Sequence, residues 1–357
     1  MQKITYLTSF PLNEDHGYKK ATAEKIEALE NIGYSVKTMA LGYTGRNFIA
    51  CIFHIALLEL RSALHALSSA KNRIFLIRGF IGFLPMCVCR MRGMTACREV
   101  HADLAEESGK IFSGVKRFIA WCAGIYCRLL DRMANVLIFN HPNLMDAYAA
   151  NRKVGSKQRM FWQYNGVNLS KFSGKNIPSV NTPERPYLLF VGNVSAWHGL
   201  EGALDLYLSN NSIRDAYDVV IVGPLYDEEA FRQYRVDGIS FVGAVPNTEV
   251  QSWIADADAC LLPVNPIRIS PGSPLKLYEY MAHGKPVITQ EDTKGYSDVV
   301  SEFSAGISVN FDDHQESGEK IFQFLQDCPV DSQKVKATVR DSCSWEAVMR
   351  RWMNEIG

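Results

Sequence analysis

Apolar and polar positions along this chain follow two alternating rhythms. Short blocks of contiguous apolar residues, the signature of strands buried on both faces, are separated by stretches with the period of amphipathic helices. In the first half this pattern predicts strands over residues 4–8, 35–40, 73–77, 94–99 and 135–139. Helices are predicted over 21–31, about 47–69, 115–133 and 141–150. Residues 169–186, LSKFSGKNIPSVNTPERP, carry neither rhythm and are rich in Ser, Asn, Pro and Lys, which marks a linker. The pattern then restarts, with strands over 187–191, 218–222, 239–242, 259–262 and 286–289. Helices fall after Gly199, near 227–234, near 248–255, within 270–285, from about 315 onward, and over 344–356. Strands alternating with helices imply parallel sheets covered on both faces. The expected architecture is therefore α/β: two doubly wound, Rossmann-like domains over residues 1–168 and 187–340, facing a cleft, with a terminal helix in 341–357. In such sheets ligands bind at the carboxyl ends of strands.

Residues 270–289, SPGSPLKLYEYMAHGKPVIT, concentrate the candidate chemistry. They read as turn, short helix, turn, buried strand. Ser273 is suited to cap the helix and Pro274 to occupy its first position. Gly284 is suited to close it in a left-handed conformation, and Pro286 prevents continuation. The helix start offers backbone N–H groups and a positive dipole end to an anion. Lys276 and Glu279 are three residues apart, on neighbouring positions of one face. A phosphate seat with a carboxylate one turn away suits a nucleotide-sugar: the amides take the diphosphate and the carboxylate grips ribose hydroxyls. A capped surface helix with a Lys276–Glu279 ion pair is the bland alternative.

Composition narrows the setting. A chain of 357 residues suits two ordinary domains, and 47% apolar with 21% charged residues excludes a disordered chain. The net charge is zero but uneven: residues 1–150 carry +6 and residues 151–357 carry −6. A basic first half suits an anionic partner such as phospholipid or a lipid-linked pyrophosphate; a solvated surface is the alternative. Nine cysteines without a C-x-x-C pair point to buried thiols in a reducing compartment, and the eight histidines do not join them at zinc-ligand spacing. The amino terminus, MQKITYLTSFP, reads as a first strand and not as a signal peptide. The apolar runs 48–60, 74–91 and 118–130 are each interrupted by polar or charged residues, so no spanning helix is expected. Arg46, Arg61, Arg73, Arg90, Arg92, Lys116 and Arg117 beside these runs fit a face lying on an anionic membrane; core helices with solvated ends are the alternative.

Several segments resemble glycosyltransferase family 4, retaining sugar transferases of the GT-B fold. Glu279 falls on the second Glu of that family's E-x7-E motif, whereas the first falls on Pro271. Residues 187–200, YLLFVGNVSAWHGL, resemble the strand and loop that hold the donor diphosphate. Asn193 and His198 stand where the family usually has Arg and Lys. His198 can serve either as an imidazolium or as a neutral N–H donor. The strand ends at Val219–Pro224 (VVIVGP, with Gly223) and Phe241–Pro246 (FVGAVP, with Val245) are expected to frame the nucleobase, and the second resembles the family's strand-Gly-x-Val element. REVHADLAEE, residues 98–107, resembles the histidine loop over the donor sugar, giving His101 and Asp103. Gly17 resembles what remains of the first Gly-rich loop. Asn165, Gly166, Val167, Asn168 and Phe172 match a structural element before the hinge, and Ser344-Trp345-Glu346 resembles a final helix that crosses back to the amino domain.

The resemblance implies a hexosyltransferase-type enzyme moving a sugar from a nucleotide-sugar donor to a glycan or lipid-linked acceptor. It further implies a place in surface-polysaccharide synthesis, in the cytoplasm or peripherally on the inner membrane face, with no catalytic metal, no further cofactor and no nucleic acid partner expected. The expected catalytic residues are His101, Asp103, Lys276 and Glu279. The expected donor contacts are Gly17, Gly192, Asn193, His198, Gly223, Val245, Arg268, Ser273, Pro274, Leu275, Lys276 and Glu279. A sugar-nucleotide epimerase, distinguished by epimer formation from donor alone, and a binder without turnover remain as alternatives.

Overall fold

A computed structural model describes residues 2–12, 17–42, 45, 47–103, 113–151, 158–172, 182–265 and 272–357. The chain forms two compact units, one from Met1–Asn165 with Trp345–Gly357 and the other from Gly166–Ser344.

The amino unit contains strands β1 (Lys3–Thr8), β2 (Ser35–Ala40), β3 (Ile74–Arg78), β4 (Ala96–Val100), β5 (Val136–Phe139) and β6 (Arg159–Trp162). They form one parallel sheet in the order β2-β1-β3-β4-β5-β6. Strand order reverses between β1 and β3, which opens a crevice at their carboxyl ends. Helices α1 (Gly17–Asn31), α2 (Phe48–Ser68), α3 (Phe83–Arg92), α4 (Gly114–Met133) and α5 (Pro142–Asn151) connect the strands. The C-terminal helix, Trp345–Ile356, packs on α1 of this unit. Leu7, Phe75, Ile77, Met86, Leu137 and Phe139 are among its buried core.

Two elements here escaped the pattern. Strand β6 is short and only partly buried, so no apolar block marks it. Helix α3 is hidden inside an apolar run and is begun by a distant residue. Glu59 of α2 accepts the amide protons of Gly82 (2.5 Å), Phe83 (3.2 Å) and Leu84 (2.9 Å), doing across the fold what a local cap does. Helix α2 corrects one expectation, since Ile49–Ser68 is long and apolar enough to cross a membrane by length and composition alone. In the fold it packs beside α3 and keeps one face outward.

The carboxyl unit contains β7 (Tyr187–Val191), β8 (Asp218–Val222), β9 (Ile239–Gly243), β10 (Ala259–Leu262), β11 (Val287–Gln290) and β12 (Gly306–Val309). The order is β12-β11-β10-β7-β8-β9, again parallel throughout, with the reversal between β7 and β10. Its helices are α6 (Leu200–Ser209), α7 (Asn211–Ala216), α8 (Asn247–Asp256), α9 (Leu275–Ala282), α10 (Ser297–Glu302), α11 (His314–Asp327) and α12 (Ser332–Cys343). The core gathers Leu188, Phe190, Leu204, Ile221, Phe231 and Leu261.

The helix expected near 227–234 is instead a turn followed by a 3-10 segment, Arg232–Tyr234. The Asp227 carboxylate accepts the amides of Glu229 (3.0 Å) and Ala230 (3.2 Å), a local closure that competes with helix propagation. Phe231 and Tyr234 then anchor the segment in the core. The pattern also missed β12 and α10, which are too short to establish a period.

Candidate functional site

Strand β7 is buried along its whole length and is followed at once by Gly192, whose φ is 134°. The Gly192 amide donates to the Val222 carbonyl (2.8 Å), and the Gly223 amide to the Gly243 carbonyl (2.8 Å). Gly223 has φ 137°, and a Cβ there would stand 2.0 Å from the Gly192 carbonyl oxygen. Only glycine permits this approach. The carboxyl ends of β7 and β8 are thus bare backbone.

Helix α9 is fastened beside this floor. Leu277, Tyr278, Tyr280 and Met281 are buried, and the Tyr280 hydroxyl accepts the Val191 amide proton (2.9 Å). That bond ties the middle of α9 to the end of β7, and leaves Lys276 and Glu279 on its more open side. Lys276 Nζ lies 4.1 Å from the Phe190 ring centroid, a cation–π distance. It also lies 3.0 Å from where a Cβ on Gly192 would be. The chain lacks a standing cation at positions 193 and 198, yet an ammonium reaches the end of β7 from α9.

The helix does not begin as its sequence suggests. Pro274 is extended (φ −71°, ψ 127°) and occupies the capping position, Leu275 is the first helical residue, and no side chain caps the start. The Ser273 hydroxyl instead meets the Tyr278 hydroxyl (2.8 Å) in a buried pair. The reason is that a buried phenol one turn along competes for it, and an unmet phenol there is costly. The far end follows expectation. Gly284 has φ 68°, its amide donates to the Met281 carbonyl (2.8 Å), and the Lys285 amide to the Tyr280 carbonyl (3.0 Å).

His198 sits in a 3-10 turn, Ala196–His198, directly before α6. Its Nδ1 accepts the Ser195 amide proton (3.1 Å). A nitrogen that accepts carries no proton, so of the two roles left open for His198 this geometry supports the neutral ring that donates through Nε2. The ring lies edge-on to Phe190, with centroids 5.6 Å apart. The Asn265 amide donates to the Trp197 carbonyl (3.0 Å), which stitches the His198 turn to the end of β10. Gly192, Lys276 and the His198 turn therefore all adjoin the β7/β10 reversal. Asn193 is exposed immediately beyond Gly192. Val245 follows β9, two strands away from β7. Arg268 and Pro271 lie outside the described residues.

The amino-unit candidates have different surroundings. Gly17 is the first residue of α1. Asp103 is committed to Arg128 of α4, with Nη2 at 3.0 and 3.2 Å from its two oxygens. His101 Nε2 lies 3.0 Å from Glu99 Oε2. Burial, and next the charge of Arg78, push the His101 pKa down to about 4. Sequence reasoning missed Glu99 and the three groups that converge on it, Tyr6, Lys25 and Arg78. One signal was available: in a strand, residues two apart share a face, so Glu99 at the end of β4 aims the same way as His101. Among the described residues, no group of three His, Cys, Asp or Glu side chains is arranged to hold a metal ion.

Residues 185–327 match the family Glycosyl transferases group 1. No curated protein matches the chain. Sucrose-phosphate synthase from Thermosynechococcus elongatus superimposes with a TM-score of 0.72 at 17% identity, covering 99% of this chain and 98% of that one. WaaG, a glycosyltransferase involved in lipopolysaccharide biosynthesis, gives 0.69 at 12% identity, covering 99% of each chain. The lipopolysaccharide outer core galactosyltransferase WaaB gives 0.67 at 15% identity, covering 99% of each. The described strands and helices agree with these likenesses on a GT-B fold, and the stretch that matches glycosyl transferases group 1 lies within the carboxyl unit.

Proposed function

We propose that this chain is a retaining glycosyltransferase that moves a hexosyl group from a nucleotide-sugar to a glycan or lipid-linked acceptor during surface-polysaccharide synthesis. The observation that carries the reading is the Lys276 ammonium lodged against Gly192 and Phe190 at the β7/β10 reversal, with Glu279 one turn along α9. As the sugar departs, negative charge grows on the diphosphate. Lys276 and the amides at the start of α9 stabilise that charge, with the neutral His198 ring as a further donor. Glu279 accepts hydrogen bonds from ribose hydroxyls, the Gly192–Asn193 backbone lets the diphosphate approach, and His101 orients the donor sugar. A leaving phosphate oxygen takes the acceptor proton, and the acceptor attacks from the same face.

The acceptor reading rests on helices α2, α3 and α4. Their outward side chains include Ile49, Phe53, Leu64, Met91, Phe118 and Trp121. These helices contain only two carboxylates, Glu59 and Asp131. Both are turned inward: Glu59 caps α3, and Asp131 holds Arg98 (2.7 Å) and the Tyr148 hydroxyl (2.7 Å). Arg61, Arg90, Lys116 and Arg117 are exposed on the same helices. An apolar face whose exposed charges are all cationic complements an anionic bilayer, where a lipid-linked acceptor resides. Sedimentation with phosphatidylglycerol vesicles that weakens with added salt is expected. Equal binding to phosphatidylcholine vesicles, or none to either, removes the membrane part alone.

The transferase reading is tested by a thermal-shift panel of UDP-, GDP-, ADP- and CMP-sugars, because a ligand bound by the native state raises its apparent stability. The stabilising donor is then assayed for transfer. Stabilisation without transfer or hydrolysis, with acceptor extracts supplied, indicates a binder; an epimer from donor alone indicates an epimerase.

A further inference from the structure

At the carboxyl end of β4 in the amino unit, the Glu99 carboxylate is almost completely buried. Four groups, from β1, α1, β3 and the segment after β4, converge on it. The Tyr6 hydroxyl of β1 donates to Oε1. Lys25 Nζ of α1 lies 2.5 Å from Oε2, Arg78 Nη1 of β3 lies 3.5 Å away, and His101 Nε2 lies 3.0 Å away. Burial alone raises a carboxyl pKa; here Lys25 and Arg78, aided by the His101 bond, overcome that and hold Glu99 well below the usual range. Glu99 is therefore ionised and can only accept, so His101 must donate to it through Nε2.

The charge count decides the rest. One carboxylate faces two cations, so a third positive charge on His101 is repelled, and burial disfavours it further. A neutral ring that donates through Nε2 leaves Nδ1 with a bare lone pair. The His101 side chain is about one-third exposed, the most open member of the cluster. Lys25 is held in turn by the C-terminal helix. Its ammonium lies 5.2 Å from the Trp345 ring and 4.8 Å from the Trp352 ring, and Trp345 Nε1 donates to Glu24 (2.7 Å).

We propose that Glu99 is a positioning residue that fixes His101 as the neutral Nε2–H tautomer, so that Nδ1 accepts a hydrogen bond from a hydroxyl of the bound carbohydrate, and that Lys25, braced by Trp345 and Trp352, sustains this arrangement. The proposal rests on the reading of His101 as a sugar contact. It gives the C-terminal helix, Trp345–Ile356, a functional task beyond packing.

The test is nitrogen NMR of the full chain labelled at histidine, with the His101 signals assigned from a His101→Gln spectrum. At pH 7.5 the Nε2–H tautomer is expected, with no titration of His101 above about pH 5. In Lys25→Met, which keeps the side-chain volume but removes one cation, the His101 titration should move upward by about one pH unit or more. An Nδ1–H tautomer, an imidazolium at pH 7.5, or an unchanged titration in Lys25→Met overturns the proposal. If Lys25→Met does not fold, the wild-type tautomer still decides. The underlying reading has a separate test: His101→Gln should lower transfer from the stabilising donor at least tenfold. Normal transfer by that variant removes the sugar contact while leaving the tautomer result to be judged independently.

Discussion

Replacing Gly223 with alanine isolates the close approach of β7 and β8 on which the donor floor depends. The new Cβ would lie 2.0 Å from the Gly192 carbonyl oxygen and 2.6 Å from its carbon, both backbone atoms that cannot rotate away. Gly243, at the end of the next strand, is the control. It too has positive φ, 80°, but a Cβ there meets nothing within 4 Å. Gly243→Ala therefore carries only the conformational cost, about 1–2 kcal/mol. Gly223→Ala carries that plus overpacking of about 1–3 kcal/mol, for a total of about 2–5 kcal/mol. For a unit of this size each kcal/mol is worth about 2–4 °C. Calorimetry of the carboxyl unit's transition should show a fall of about 2–8 °C for Gly243→Ala and about 4–20 °C for Gly223→Ala. Gly223→Ala should also weaken nucleotide-sugar binding, because relief of the contact displaces Gly192. A melting temperature for Gly223→Ala at or above that of Gly243→Ala refutes a close approach at Gly192.

Other outcomes follow from the same geometry. Glu279→Ala should cost about 1–3 kcal/mol of donor affinity by titration calorimetry, the value of hydrogen bonds to a charged acceptor; a loss under about 0.3 kcal/mol with the fold intact places the carboxylate outside the site. Glu59→Ala leaves three amides at the start of α3 without their acceptor and should destabilise the amino unit by about 1–3 kcal/mol in urea; a change under about 0.5 kcal/mol means another group replaces it. The His283 imidazole is held down at about 4, first by burial and then by Lys285 and Lys336. The unfolded chain binds a proton near pH 6.5 that the native ring refuses, so stability is intact above that value and declines as pH falls from about 6.5 towards 4. In His283→Gln that decline should be shallower, and an identical acid limb in unfolding titrations rules the ring out as its source.

Apolar blocks and amphipathic stretches sufficed to reveal two alternating sheets, because a strand buried on both faces must be an apolar block and a helix covering it must be amphipathic. The sequence also located the donor helix, since Gly284 and Pro286 end α9 whatever surrounds them. Local signals failed where the deciding partner is remote. Helix α3 is capped by Glu59, more than twenty residues upstream, and Ser273 is drawn from its cap by Tyr278. The missing cations at 193 and 198 read as a gap in the donor site, and only the packing of α9 on β7 showed Lys276 reaching the same strand end. The setting of His101 was equally out of reach: Tyr6, Lys25, Arg78 and Trp352 are far apart in sequence, and strand order with the return of the C-terminal helix brings their charges and rings together. Periodicity records which side of an element meets the core, while the charge state of a buried group depends on every element that surrounds it.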